Sequence, residues 1–320
     1  MSLETVRGAA GRLLSRLREI EAGGAGAELL PELTAAMDDC LAELSGLGLW
    51  GRENELPSSE LWNLAGDVLS RGWMQHRART KPRGYAGDFE LLGRIVRDQL
   101  CEDPLGRLFD RYFQNLAAPR AVQNRTRLVG QWIVEWMSAA SGPQQVVVVG
   151  SGPAYDVEFA AKALAPVDRS RLKVRLLDYD PQSLGDAEAR LAGLLPAENL
   201  EFQAGGLFRI PDRPKLAAML DGADLLVSVG MFDYLDDQQS ARMLAAFWER
   251  TNAGGEVVVF NFSPRNTSRA YMEWIGNWYL IYRDESAMRR MAADAGISPE
   301  SYELGSEELG VDLFLRCRKG

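Results

Sequence analysis

One stretch constrains this chain more than any other: Gln145 to Asp156 read QVVVVGSGPAYD, four valines running straight into a Gly-x-Gly turn. A β-branched run without polar interruption predicts a strand buried on both faces, as in parallel sheets. The turn after it predicts the entry to a helix from about Tyr155. Gly150 and Gly152 have no Cβ, so backbone N–H groups can approach a ligand closely, and the helix directs its positive end to the same place. A second apolar strand, Lys173 to Asp180 (KVRLLDYD), ends in acid. In doubly wound sheets an acid at the tip of the second strand takes the ribose hydroxyls of a nucleoside. The two strands together predict a Rossmann-like sheet holding a nucleotide-like ligand. The bland alternative is a pair of ordinary strands with an exposed turn and an exposed aspartate.

The chain after residue 140 alternates as such a sheet requires. Strands are expected at 145–149, 173–178, 199–203, 223–229 and 256–262, separated by helices at 155–164, 181–192, 213–220 and 236–250. Segments 301–304 and 312–318 are expected to form a terminal antiparallel pair. Before residue 140 the pattern is helical throughout: 3–21, 28–47, 58–79, 89–100, 104–116 and 121–138. Pro57-Ser58-Ser59-Glu60 and Asp103-Pro104 offer caps for the third and fifth of these. The small-residue turn AASGPQ at 139–144 sets a domain boundary, giving a helical domain at 1–140 and an α/β domain at 141–320.

Composition narrows the chemistry. A net charge of −9 argues against nucleic acid as partner, and 46% hydrophobic with 25% charged residues is the balance of a soluble globular protein. No apolar run approaches a membrane span, and the N-terminus is charged and amphipathic, so a cytoplasmic protein acting on a small molecule is expected. Cys40, Cys101 and Cys317 lie far apart without metal-ligand spacing, and His76 is the one histidine, which excludes a histidine-based metal centre. No metal is expected. Whatever is catalysed must proceed without a histidine relay.

A dinucleotide site would continue Gly-x-Gly-x-x-Gly, but Tyr155 stands at the third glycine, which weakens an NAD reading and points to a ligand lacking pyrophosphate. VVVVGSGPAYD, LLDYD and DLLVSVGMFDY (Asp224 to Tyr234) resemble motifs I, II and IV of class I S-adenosylmethionine-dependent methyltransferases, over roughly residues 140 to 320. Two further blocks, RTKPRGYAGDFE (Arg79 to Glu90) and NFSPRNTSRAYMEWIGNWYLIYR (Asn261 to Arg283), are similar to a bacterial branch of 3-hydroxypalmitic acid methyl ester biosynthesis type, which sets a helical domain over the core as a cap. That neighbourhood includes the azetidine-2-carboxylate synthases, which cyclise S-adenosylmethionine itself. The resemblance implies S-adenosylmethionine as cofactor or substrate. It implies contacts to it from Gly150, Ser151, Gly152 and Tyr155, with Asp178 and Tyr179 at the ribose. Gly206, Leu207 and Phe208 would border the adenine, and Ser228, Gly230 and Met231 would lie beside the sulfonium.

Three chemistries stay open. The first is methylation of a small carboxylic acid, whose ionised form is a nucleophile needing no base; the second is cyclisation by the cofactor's own α-amine; the third is a non-catalytic nucleoside sensor. Arginines suit a carboxylate by bidentate pairing, so Arg83, Arg125, Arg269 and Arg283, with Phe232, are candidates for the substrate. Tyr85, Asn124, Asn261 and Tyr282 are candidates for the reacting centre. The KPRGYAGD turn leaves Arg83, Tyr85 and Asp88 projecting, with Asp88 also placed to cap the helix from Phe89. Trp274 and Trp278 recur at helical spacing and read as packing. Oligomeric state is left open.

Overall fold

The computed structural model describes residues 2–320. The chain divides into two compact units, one running through Arg120 and including Asn266–Leu280, the other comprising Ala121–Arg265 and Ile281–Gly320. Among the described residues no helix is long and apolar enough to cross a membrane.

The first unit is helical: α1 (Ser2–Ala22), α2 (Leu30–Ser45), α3 (Glu55–Leu69), α4 (Trp73–Thr80), α5 (Phe89–Val96) and α6 (Pro104–Asn115), with the start of α7 (Ala117–Ala139). Helix α1 buries Val6, Ala9, Ala10, Leu13, Leu17 and Ile20, an i, i+3/i+4 stripe, and packs on α2 and α3. The helix expected at 58–79 is two helices. The break falls at Ser70–Gly72, where glycine is required because a Cβ on Gly72 would meet the Phe109 Cβ of α6 at 2.7 Å. Helix α3 begins at Glu55, which places Ser58 inside it as a buried residue and removes it as a cap. Asp103 does cap α6, accepting from the Gly106 N–H, and Asp88 caps α5, accepting from Glu90 and Leu91. Residues 266–280 join this unit through aromatic packing: Tyr271 stacks on Phe113 at 5.1 Å and donates its hydroxyl to Gln75.

The second unit is a seven-stranded sheet of order β3-β2-β1-β4-β5-β7-β6. Its strands are β1 (Gln144–Val149), β2 (Leu172–Asp178), β3 (Leu200–Ala204), β4 (Ala223–Ser228), β5 (Thr251–Phe262), β6 (Tyr302–Ser306) and β7 (Asp312–Arg318). Strands β1 to β5 pair in parallel, and β7 joins antiparallel to β5 and β6. The valine run explains itself here. Val146 and Val148 face one core with Val129, Ile133 and Met137 of α7, while Val147 and Val149 face the other, and all four valines are fully buried. With that packing, the division falls at Arg120 rather than at the small-residue turn: all of α7 after its first turn belongs to the sheet unit.

Connecting helices are α8 (Tyr155–Ala163), α9 (Pro166–Arg171), α10 (Pro181–Leu191), α11 (Pro214–Ala217), α12 (Asp237–Arg250) and α13 (Glu285–Asp294). Helices α9 and α13 were not expected from the sequence. Helix α13 carries only Met288, Met291 and Ala292 to the core, a stripe diluted by four charged residues, and is started by Asp284 accepting from Ala287. Strand β5 begins five residues early, at Thr251, across an irregularity where its pairing with β4 shifts register between Ala223 and Leu225.

Candidate functional site

In an open α/β sheet the connections leave a crevice at the carboxyl ends of the strands where the winding reverses. With this strand order the reversal lies between β1 and β4. The turn after β1 takes left-handed backbone at Gly150 (φ 66°), Gly152 (φ 51°) and Ala154 (φ 51°), the last a strained residue beginning α8. A Cβ on Gly150 would stand 3.5 Å from Met231 Cβ and 4.0 Å from Leu207 Cδ1, so the loops after β3 and β4 close on that glycine.

The turn's amides are not free. Gly150 and Ser151 both donate to the Leu177 carbonyl, at 2.8 and 3.0 Å, and Gly152 donates to Asp178 Oδ2 at 2.7 Å. This corrects the expectation that these N–H groups face a ligand: β2 takes all three. What the crevice offers instead is acceptors and hydroxyls. Asp178 also accepts from Asp180 N–H at 2.9 Å, and burial lifts its carboxyl above the usual range. The Tyr179 N–H also reaches this carboxylate, which leaves one of its roughly four lone-pair directions open. The hydroxyls of Ser151 and Ser228, at the ends of β1 and β4, are buried without a hydrogen-bond partner. Flanking β2 and β3, Tyr179 is 68% exposed and Phe208 57%, unusual for large rings beside a buried acid. Gly206 precedes the 3₁₀ turn Leu207–Asp212, and Tyr155 lies under the Arg190 guanidinium at 4.0 Å.

Beside Gly230 lies a buried ionic cluster. Arg125, on α7, would sit 3.5 Å from a Gly230 Cβ; it pairs with Asp312 at 2.7 Å and covers the Phe262 ring at 5.4 Å. Asp312 keeps Oδ1 buried and unpartnered. Asp233 accepts from the Phe262 N–H, and Asp156 from its neighbour Val157. Burial drives all three carboxyls upward, Asp156 to about 6; the Asp312 charge raises Asp233 further, and Glu307 raises Asp312. These acids were missed in the sequence. Asp156 and Asp233 lie inside the quoted motifs and were legible there; Asp312, at the start of a terminal strand, carried no local signal.

Several expected site residues have structural work. Asn261 is fully buried and donates to the Phe262 and Ile281 carbonyls. Arg283 donates to Asn261 Oδ1, to the Phe232 and Leu235 carbonyls and to Asp237. The pair brackets the loop after β4 against segment 281–283, so neither presents its polar group to a ligand. Tyr282 lies in that bracketed segment. Phe232 is a core ring, edge-on to Phe247 at 5.9 Å. Asn124 donates to Glu307 at 2.8 Å. Arg83, Tyr85 and Arg269 belong to the helical unit: Arg83 lies over Phe89 near Glu90, and Arg269 pairs with Glu273 and covers Trp50. Gly87, in the block with Tyr85, meets Trp278 so closely that a Cβ would stand 2.5 Å from its ring.

No family model matches the chain, and no curated protein matches it. Among solved structures, a possible exported protein from Bordetella parapertussis aligns at 16% identity over 100% of this chain and 97% of that one, with a TM-score of 0.59. The CurJ carbon methyltransferase aligns at 12% identity over 100% and 99%, with a TM-score of 0.54. The fold is therefore a Rossmann-like class I methyltransferase sheet with an N-terminal all-helical region.

Proposed function

We propose that this chain binds S-adenosylmethionine at the crevice between β1 and β4 and is a transferase acting at a carbon of its sulfonium, with methyl transfer to a small molecule as the reading best supported. One observation carries it. The turn's three amides are engaged by β2, while Asp178 keeps one open lone pair and the Ser151 and Ser228 hydroxyls lack partners. A pyrophosphate needs the amides; an adenosine with a cationic, amino-acid-bearing tail needs acceptors and hydroxyls.

In this reading Asp178 takes the ribose hydroxyls, and Tyr179 and Phe208 border the purine. Ser151 and Ser228 complete their hydrogen bonds on the methionine portion, and Leu207, Met231 and Gly150 form a dry wall. Bound S-adenosylmethionine supplies a carbon already activated by positive sulfur. The protein's part is then alignment to about 3 Å and exclusion of water.

Two acceptors compete. Methylation of a small carboxylic acid needs no base, which suits a chain with one histidine. Against its placement at Gly230, Arg125 and Arg283 are already held by protein acids and carbonyls. That observation favours the second reading, closure of S-adenosylmethionine on itself to azetidine-2-carboxylate and methylthioadenosine, because Asp312 Oδ1 is a buried acceptor suited to an amine N–H. Incubation with S-adenosylmethionine alone and identification of the purine product separates them. Methylthioadenosine well above the rate without protein sinks the methyl-ester reading; background alone sinks cyclisation.

A further inference from the structure

The helical unit holds a second polar centre, where α4 ends against α3 and the segment around Trp274. Lys81 closes α4 in left-handed backbone (φ 47°), two residues after Arg79. The Arg79 guanidinium donates to the Ser58 hydroxyl and, at 3.4 Å, to the Trp274 carbonyl, and lies 5.1 Å from the Trp62 ring centre. The Lys81 ammonium is 6.0 Å from the centre of the Tyr279 ring. Every one of these partners is neutral. Arg77, two residues before Arg79, shows the contrast: it is locked by Asp88 and Glu90.

Among the described residues neither Arg79 nor Lys81 forms an ion pair, although both are half-buried. Burial lowers Arg79 to about 10, and burial together with the Arg79 charge lowers Lys81, with Glu55 opposing only weakly. Two cations partly withdrawn from water, repelling one another and with no acid at salt-bridge distance, are held at a cost that a bound anion would reduce. Unpartnered polar atoms gather in the same elements: Trp62 Nε1 on α3, and both side-chain atoms of Asn54, fully buried at its start.

We propose that Arg79 and Lys81, flanked by Trp62 and Tyr279, form a receptor for the oxyanion of an organic acid, a carboxylate or a phosphate ester. The site lies within the helical unit and its test uses no S-adenosylmethionine, so it stands or falls apart from the transfer proposed above.

The test is thermal unfolding and calorimetry of the full chain with sodium benzoate, inorganic phosphate and benzylammonium chloride. Benzoate or phosphate is expected to raise the unfolding midpoint, and its affinity to fall at least about tenfold in Lys81→Met and in Arg79→Met. Whichever anion binds tighter identifies the carboxylate or the phosphate source. Without added anion, Lys81→Met is expected to unfold no earlier than the wild type, since it relieves a like-charge contact; this keeps the test valid even if Arg79→Met folds poorly. Benzylammonium binding as well as benzoate, no midpoint shift with either anion, or anion affinity unchanged in Lys81→Met would each overturn the proposal.

Discussion

Arg283 separates the structural account from the sequence reading most sharply, because the sequence suggests a substrate-binding arginine and the structure encloses it. Its side chain is 2% exposed and serves the Phe232 and Leu235 carbonyls and Asn261 Oδ1, with Asp237 at the solvent side. Arg283→Ala leaves the Leu235 carbonyl and Asn261 Oδ1 without a donor, while the Phe232 carbonyl keeps the Leu235 N–H. At about 1–3 kcal/mol for each unsatisfied group, partly relieved by water entering the space, the loss comes to roughly 3–5 kcal/mol, the range seen when one partner of a buried charged network is removed. The Asp237 pair adds little, since that carboxylate is exposed. Arg283→Lys keeps the charge but not the fork, and is expected to lose about 2 kcal/mol. Urea unfolding at unchanged m-value measures both. A domain with about 5–15 kcal/mol of stability survives the lysine variant, in which cofactor affinity should stay within about twofold. If Arg283→Ala unfolded within about 0.5 kcal/mol of the wild type while turnover collapsed, the guanidinium would face substrate and the bracket would be wrong.

Three other perturbations probe other parts of the account. Asp178→Ala should weaken S-adenosylmethionine binding by roughly 1.5–3 kcal/mol through loss of charge-assisted hydrogen bonds; unchanged calorimetric affinity would remove it from the ribose site. Asp156 is pushed up to about 6 by burial, so its neutral form is favoured in the fold; its contribution is complete below the unfolded value near 4 and is lost as pH rises to about 6. Asp156→Asn should therefore flatten the decline of the unfolding midpoint between pH 4 and 6, by about 3 kcal/mol at most, and a decline as steep as in the wild type would refute the assignment. Gly87→Ala meets both a left-handed backbone (φ 72°) and the Trp278 ring, and should cost at least about 2 kcal/mol in thermal unfolding; a neutral effect would mean that the 79–90 block does not pack as described.

The valine run, the second strand's acid and the alternation to β5 were legible because strands buried on both faces write an unmixed apolar signal. The break between α3 and α4 was not, since the close approach of Phe109 that requires glycine at 72 comes from a helix distant in sequence. The same holds for the domain division: α7 is one continuous helix, and no local residue marks where its partners change from helices to sheet. At the site, the positions of Gly150, Met231 and Leu207 followed from the motifs, and the structure brings them together. The roles of Asn261 and Arg283 did not, because a polar residue in a motif looks the same whether it serves a ligand or the protein's own carbonyls. Only the count of acceptors around it decides.

The central claim is that the crevice between β1 and β4 is built for S-adenosylmethionine and not for a pyrophosphate-bearing nucleotide. Calorimetric titration of the purified chain with S-adenosylhomocysteine, and in parallel with NADH, tests it directly. The account predicts saturable binding of S-adenosylhomocysteine and no heat beyond dilution with NADH. Tight NADH binding with no response to S-adenosylhomocysteine would contradict it, and would mean that the amides now held by Leu177 and Asp178 turn outward to meet phosphate.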